Sequence, residues 1–160
     1  MYEFNPNDKD HVSIKSWFKS WENYVQKKDF ELAKNLFHDE VISFGTWMDI
    51  VQGLDKLCND QWKNIWPTIT NFEFLTETLF IQVSPDSLFS NSILVWNSVG
   101  YSEQGNSFER SGRATVTLKK SNKNSNWKGI HTHFSLNRGV PQKSFGNFNY
   151  KNTNILNSFD

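Results

Sequence analysis

The residues best suited to proton and anion chemistry lie late in the chain. His131 and His133 stand two apart in Trp127-Lys128-Gly129-Ile130-His131-Thr132-His133-Phe134-Ser135. On an extended strand this spacing puts both imidazoles on one face with Trp127, Gly129 and Ser135, and gives the other face to Ile130, Phe134 and Leu136. Imidazole titrates near neutrality, so the pair is read as a proton donor and acceptor, the catalytic candidates of the chain. The alternative is a hydrogen-bonded pair that fixes the end of a sheet or makes a dimer contact. Two imidazoles on one face also suit a cation. The segment holds no Cys, Asp or Glu, however, and His11, His38, Asp39 and Glu40 are remote in sequence. No metal and no cofactor is expected.

Arg113 interrupts a run of Ala, Thr, Val and Leu, where a charge needs a partner. Its fork of donors suits a carboxylate or phosphate of a small ligand; otherwise it pairs with Glu109, Glu103 or Asp49. Arg110, nearer a turn, reads as solvated. The strands of Arg113 and His133 are expected to be hairpin neighbours, each residue opposite its strand's aliphatic face. Both are therefore expected to point into one cavity, with Thr115 on the same face as Arg113.

Aromatic residues make 16% of the chain, 7 of them Trp, enough to line an apolar cavity as well as a core. Trp17, Trp21 and Trp62 fall at helical spacing and read as core, with Trp21 and Trp96 also carried as ligand contacts. Trp47 and Met48 sit in a loop and are the expected edge of the pocket. Cys58 reads as a buried structural thiol. There is no Gly-rich phosphate loop, no G-x-S-x-G and no H-E-x-x-H.

The elements that must position these residues follow from periodicity. Met1–Asp10 is polar and patternless, so residues 1–12 read as an arm. From Val12 onward Ile14, Trp17, Phe18, Trp21, Tyr24 and Val25 form one helical stripe. Asp29 offers an N-cap for a second helix burying Phe30, Ala33, Leu36 and Phe37. Val41–Phe44 is a short strand, and a third helix from Leu54 carries Leu57, Cys58, Trp62, Ile65 and Trp66 until Pro67 stops it. Strands follow over Asn71–Val83, Leu88–Tyr101, Ser107–Lys120 and Trp127–Leu136. Leu88–Tyr101 is apolar on both faces at its centre (Ile93, Leu94, Val95, Trp96). Residues 140–160 are rich in Asn, Ser, Lys and Phe and read as a tail, with Phe145, Phe148, Ile155 and Leu156 able to dock on the body. Helices first and strands afterwards make an α+β fold: three helices on a strongly curved antiparallel sheet, a cone with an internal cavity.

At 160 residues the chain fits one domain. Lys+Arg and Asp+Glu both total 17, which argues against a nucleic-acid module and against a polybasic membrane anchor. A single Cys excludes an internal disulfide framework and suits a reducing compartment. No apolar run reaches the ~20 residues of a membrane span, and the polar start does not read as a signal peptide. A cytoplasmic location is expected.

This order of elements resembles the nuclear transport factor 2-like superfamily, in particular its SnoaL-like and association-domain-like branch. Phe44-Gly45-Thr46 with Gly53, Gly112-Arg113-Ala114-Thr115-Val116-Thr117-Leu118, and the closing His-x-His-x-Ser strand carry the likeness over residues 13–139. The resemblance implies that the face of the closing strand bearing the histidines lines the cavity. Ketosteroid isomerases of this superfamily use a first-helix Tyr, an Asp base after the first strand and a sheet Asp. The corresponding positions here fall on Trp21, near Gly45, and among Arg113, Ala114 and Thr115, so that set does not carry over. Two functions stay open. One is a small-molecule-binding or SnoaL-like protein, whose imidazoles would fit a lyase, isomerase or hydrolase acting on a small carbonyl compound. The other is a non-catalytic association domain that homodimerises through the outer sheet face.

Overall fold

The structure, a computed structural model, describes residues 8–147. Helix α1 (Lys9–Lys27) begins inside the stretch read as an arm, because Asp8 caps it by accepting the Asp10 N–H. It ends where Lys28 turns left-handed at φ 55°. The stripe of Ile14, Trp17, Phe18, Trp21 and Val25 is buried as its spacing requires. Helix α2 (Phe30–Lys34) is capped by Asp29 and stops early. Strand β1 (Phe37–Phe44) therefore starts at Phe37, four residues before the expected Val41. After β2 (Val51–Gln52) the third helix is composite: α3 (Leu54–Lys56), a π-helical turn over Leu57–Trp62, α4 (Lys63–Ile65) and a 3-10 turn over Trp66–Thr68.

The remaining strands are β3 (Thr70–Val83), β4 (Phe89–Tyr101), β5 (Ser107–Glu109), β6 (Gly112–Lys119) and β7 (Lys128–Leu136). They form one sheet in the order β2-β1-β7-β6-β4-β3, with β5 also on β4. The fold is α+β with helices packed on a curved sheet, as expected. The sheet is mixed, however, since β1 and β7 run parallel and bring the first and last strands together.

The inner face holds the core. Trp17, Trp21, Phe37, Phe74 and Phe134 meet edge to face or tilted, with ring centroids 5.0–6.2 Å apart. Gly112 lets the Trp96 indole lie against β6, because a Cβ there would meet the Ser135 carbonyl oxygen and stand 2.5 Å from the indole ring. Residues 148–160, including Phe148, Ile155 and Leu156, lie outside the described residues. Among the described residues no helix is long and apolar enough to cross a membrane.

Candidate functional site

Strand alternation decides which side chains enter the cone. Arg110 exchanges both backbone hydrogen bonds with Ser98, and Gly112 pairs with Trp96, so β5 and β6 run on as one line beside β4. Along that line Arg110, Gly112, Ala114, Val116 and Leu118 face the helices and are buried. Arg113, Thr115, Thr117 and Lys119 face outward, with Arg113 exposed.

On β7 the alternation is reset by a bulge. Thr117 pairs with His131 and Leu118 with Gly129, leaving Ile130 as an extra residue. Thr132 and Phe134 therefore look into the cone, and His131 and His133 look out.

These facts correct the expected site. Arg113, Thr115, His131 and His133 do lie together, but on the outer face of the sheet. The aliphatic residues that Arg113 and His133 oppose are the ones that meet the helices, and those helices enclose the cavity. Trp47 is 40% exposed, and neither it nor Met48 lines the cavity, although Met48 packs against the core. Trp21 and Trp96 do line it.

The cavity has a volume of about 50 Å³. Its apolar walls come from α1 (Trp21, Val25), the composite helix (Trp62, Ile65, Trp66) and the sheet (Phe72, Trp96, Phe134). Trp62 and Trp66 stack at 4.8 Å, and Phe30 stacks on Trp66 at 5.1 Å. The polar side is small. Ser43 and Thr132 share a hydrogen bond of 2.7 Å across the parallel β1–β7 seam. Gln61, set by the π-helical turn, accepts the Met48 N–H at 2.7 Å and so holds the loop after β1. A side chain at Gly45 in that loop would have to displace Gln61, since a Cβ would lie 2.5 Å from its amide.

Arg110 is the residue that sequence reasoning missed. It is 2% exposed, donates from Nη2 to Thr46 Oγ1 at 3.0 Å, and lies over the Trp96 ring at 5.4 Å. Among the described residues no carboxylate pairs with it. Burial pushes its guanidinium down to about 10, which still leaves it charged at neutral pH. Its Nε and the indole N–H groups of Trp21 and Trp96 are buried without a partner. All three residues line the cavity. Counting back by twos from Ala114 would have placed Arg110 inside.

Among the described residues lining the cavity there is neither carboxylate nor imidazole. No His/Cys/Asp/Glu group able to hold a metal occurs among the described residues. Cys58 is buried in the core outside the cavity lining, and burial pushes its thiol up, as suits a structural role.

No protein-family model matches the chain and no curated protein matches its sequence. Solved structures do match. A nuclear transport factor 2-like superfamily protein from Salmonella enterica aligns with TM-score 0.66 at 17% identity, over 82% of this chain and 95% of that one. A ketosteroid isomerase-like protein from Erwinia carotovora aligns with TM-score 0.66 at 12% identity, over 81% and 97%. The association domain of C. elegans CaMKII aligns with TM-score 0.62 at 14% identity, over 82% and 99%. At these identities the likeness is one of architecture, and the chain has the nuclear transport factor 2-like fold.

Proposed function

We propose that the cone binds a small anionic molecule, with Arg110 holding the charged head and the tryptophan walls holding the apolar remainder. The observation that carries this reading is the buried guanidinium without a carboxylate partner among the described residues. A buried charge is ordinarily paired, and a carboxylate held by the fork of an arginine supplies the missing partner. The orphan donors on Trp21, Trp96 and Arg110 Nε also call for an acceptor. A cavity of about 50 Å³ suits a head group of a few heavy atoms, since one water-sized probe takes ~10–15 Å³. With His131 and His133 outside and no base in the lining, binding is favoured over proton transfer. The test is a thermal-shift series with acetate, propionate and benzoate against their neutral amides. Stabilisation by the acids alone is expected; equal effects of acid and amide would overturn the reading.

A second reading, a homodimer through the outer sheet face, has its own observation. Phe80, Ile93, Thr115, His133 and Phe44 stand in register across β3, β4, β6, β7 and β1. Phe44 is 36%, Phe80 40%, Ile42 41% and Ile93 47% exposed. Five strands at ~4.8 Å spacing and about eight residues long give a flat projection of roughly 650 Å². That approaches the ~800 Å² per partner of a standard interface. The fold likeness to an association domain supports the same occupant, a second copy. Light scattering at micromolar concentration and neutral pH is expected to give twice the chain mass, and a monomer would sink this reading.

A further inference from the structure

We propose that self-association through the outer sheet face is switched by pH, with His131 and His133 as the sensing groups. The inference rests on the dimer reading and adds its regulation. The two imidazoles stand inside the apolar face rather than at its rim. His133 lies between Thr115 and Phe44, and His131 between Thr117 and Ile42. The Phe44 ring meets both imidazoles edge to face, at 5.1 Å and 5.4 Å. A carbonyl oxygen only accepts, so His131 Nδ1–H donates to the Ile42 carbonyl at 2.8 Å. The next proton must then go to Nε2.

Neutral imidazoles are compatible with a dry, apolar contact. Imidazolium is not, because its charge must be stripped of water there. The surrounding charges act in both directions. On the same face β6 carries Arg113 and Lys119, which oppose a further positive charge, while the exposed start of β1 carries His38, Asp39 and Glu40 and β3 carries Glu73, and the carboxylates favour it. The strands facing the two histidines at their own level supply only uncharged groups: Thr115, Thr117, Ile42 and Phe44. A two-fold axis presents the same patch from both copies, so protonation adds like charge on both sides of the contact.

The experiment is sedimentation equilibrium of the full chain at about pH 8 and about pH 5.5, below the midpoint of an ordinary imidazole. A rise in dimer Kd of at least ~10-fold is expected at the lower pH. The variant H131N/H133N, which keeps an amide donor for the Ile42 carbonyl, should hold one Kd at both values to within ~2-fold. H133N alone, at an exposed side chain, should shrink the wild-type shift. A wild-type Kd that ignores pH overturns the switch and leaves the dimer standing. A monomer at about pH 8 overturns the dimer reading itself. A shift that survives in H131N/H133N removes the histidines as its cause.

Discussion

Two buried cations close the two ends of one row of side chains, and they are treated differently. Lys120, 7% exposed at the far end of the inward row, bonds to Asp10 at 2.7 Å and lies 4.4 Å over the Trp127 ring. Arg110, at the near end, has a hydroxyl and an aromatic face but, among the described residues, no carboxylate. The lysine is an internal strut that ties β6 to the start of α1. The arginine is buried more deeply and left open toward a cavity. The contrast separates a charge that completes the fold from one the fold keeps available.

The largest effect should fall on the paired end. Asp10→Asn strands Lys120 in a buried position and is expected to cost about 3 kcal/mol, a fall in Tm of roughly 9 °C by calorimetry. This contribution has a definite pH window. Burial works to raise the Asp10 carboxyl, but the bonds from Lys120 and Ser87 and the nearby lysine charges outweigh it and hold it below the ordinary carboxylate value. A carboxyl lowered on folding adds stability above its unfolded value near ~3.9 and loses it as pH falls through the folded value. The gap between wild type and Asp10→Asn should therefore hold steady from neutral pH down to ~4 and narrow below it.

At the open end the effect should appear in binding rather than in folding. Arg110→Met is expected to abolish the acid-specific thermal shift, a loss of at least ~10-fold in affinity, or about 1.4 kcal/mol. Stability without ligand should fall by less than in Asp10→Asn, because no partner charge is orphaned. An Arg110→Met protein that binds acids as wild type does would erase the contrast between the two cations.

Gly45→Ala probes the loop that carries Thr46 to Arg110. The new Cβ drives the Gln61 amide off the Met48 N–H, an expected loss of about 1 kcal/mol with weaker anion binding. A variant unchanged in both would show that Gln61 does not hold the loop. Arg113→Met should be the mildest, within ~0.5 kcal/mol of wild type in stability and without effect on anion binding, since its side chain is on the wrong side of the sheet.

What the residues disclosed, and what they hid, follows the range of the physics. The α1 stripe, the Asp29 cap and the long strands rest on local periodicity and were legible. Phe37 was misplaced on α2 because apolar residues at a helix–strand boundary satisfy both periods. The alternation along β6 was legible but its sense was inverted, with Arg113 expected inside in place of Ala114, and the apparent turn near Arg110 hid the continuation of the row. The bulge at Ile130 has no sequence signature, and one extra residue carries Gly129 and His131 to opposite faces. The parallel pairing of β1 with β7 is a contact between distant segments, and no local pattern announces it. The start of the C-terminal segment is held by contacts of the same distant kind. Ser144 donates to the Thr68 carbonyl at 2.5 Å and accepts the Tyr101 N–H at 3.0 Å, tying residues near the end of the described chain to β4.

That β1–β7 seam also governs the order of events during synthesis. Ser43 and Thr132, which bond across it, are 89 residues apart in sequence. At ~5–20 residues per second, the translating chain spends several seconds with β1 made and its partner not yet emerged. Through that interval the edge of β1 that β7 will cover has no strand to pair with, while Trp17, Trp21 and Phe37 wait for the Phe134 wall. Closure of the cone is thus a late, non-local step, of the kind that makes folding slow. The nascent chain is most exposed to mispairing just before its last strand arrives.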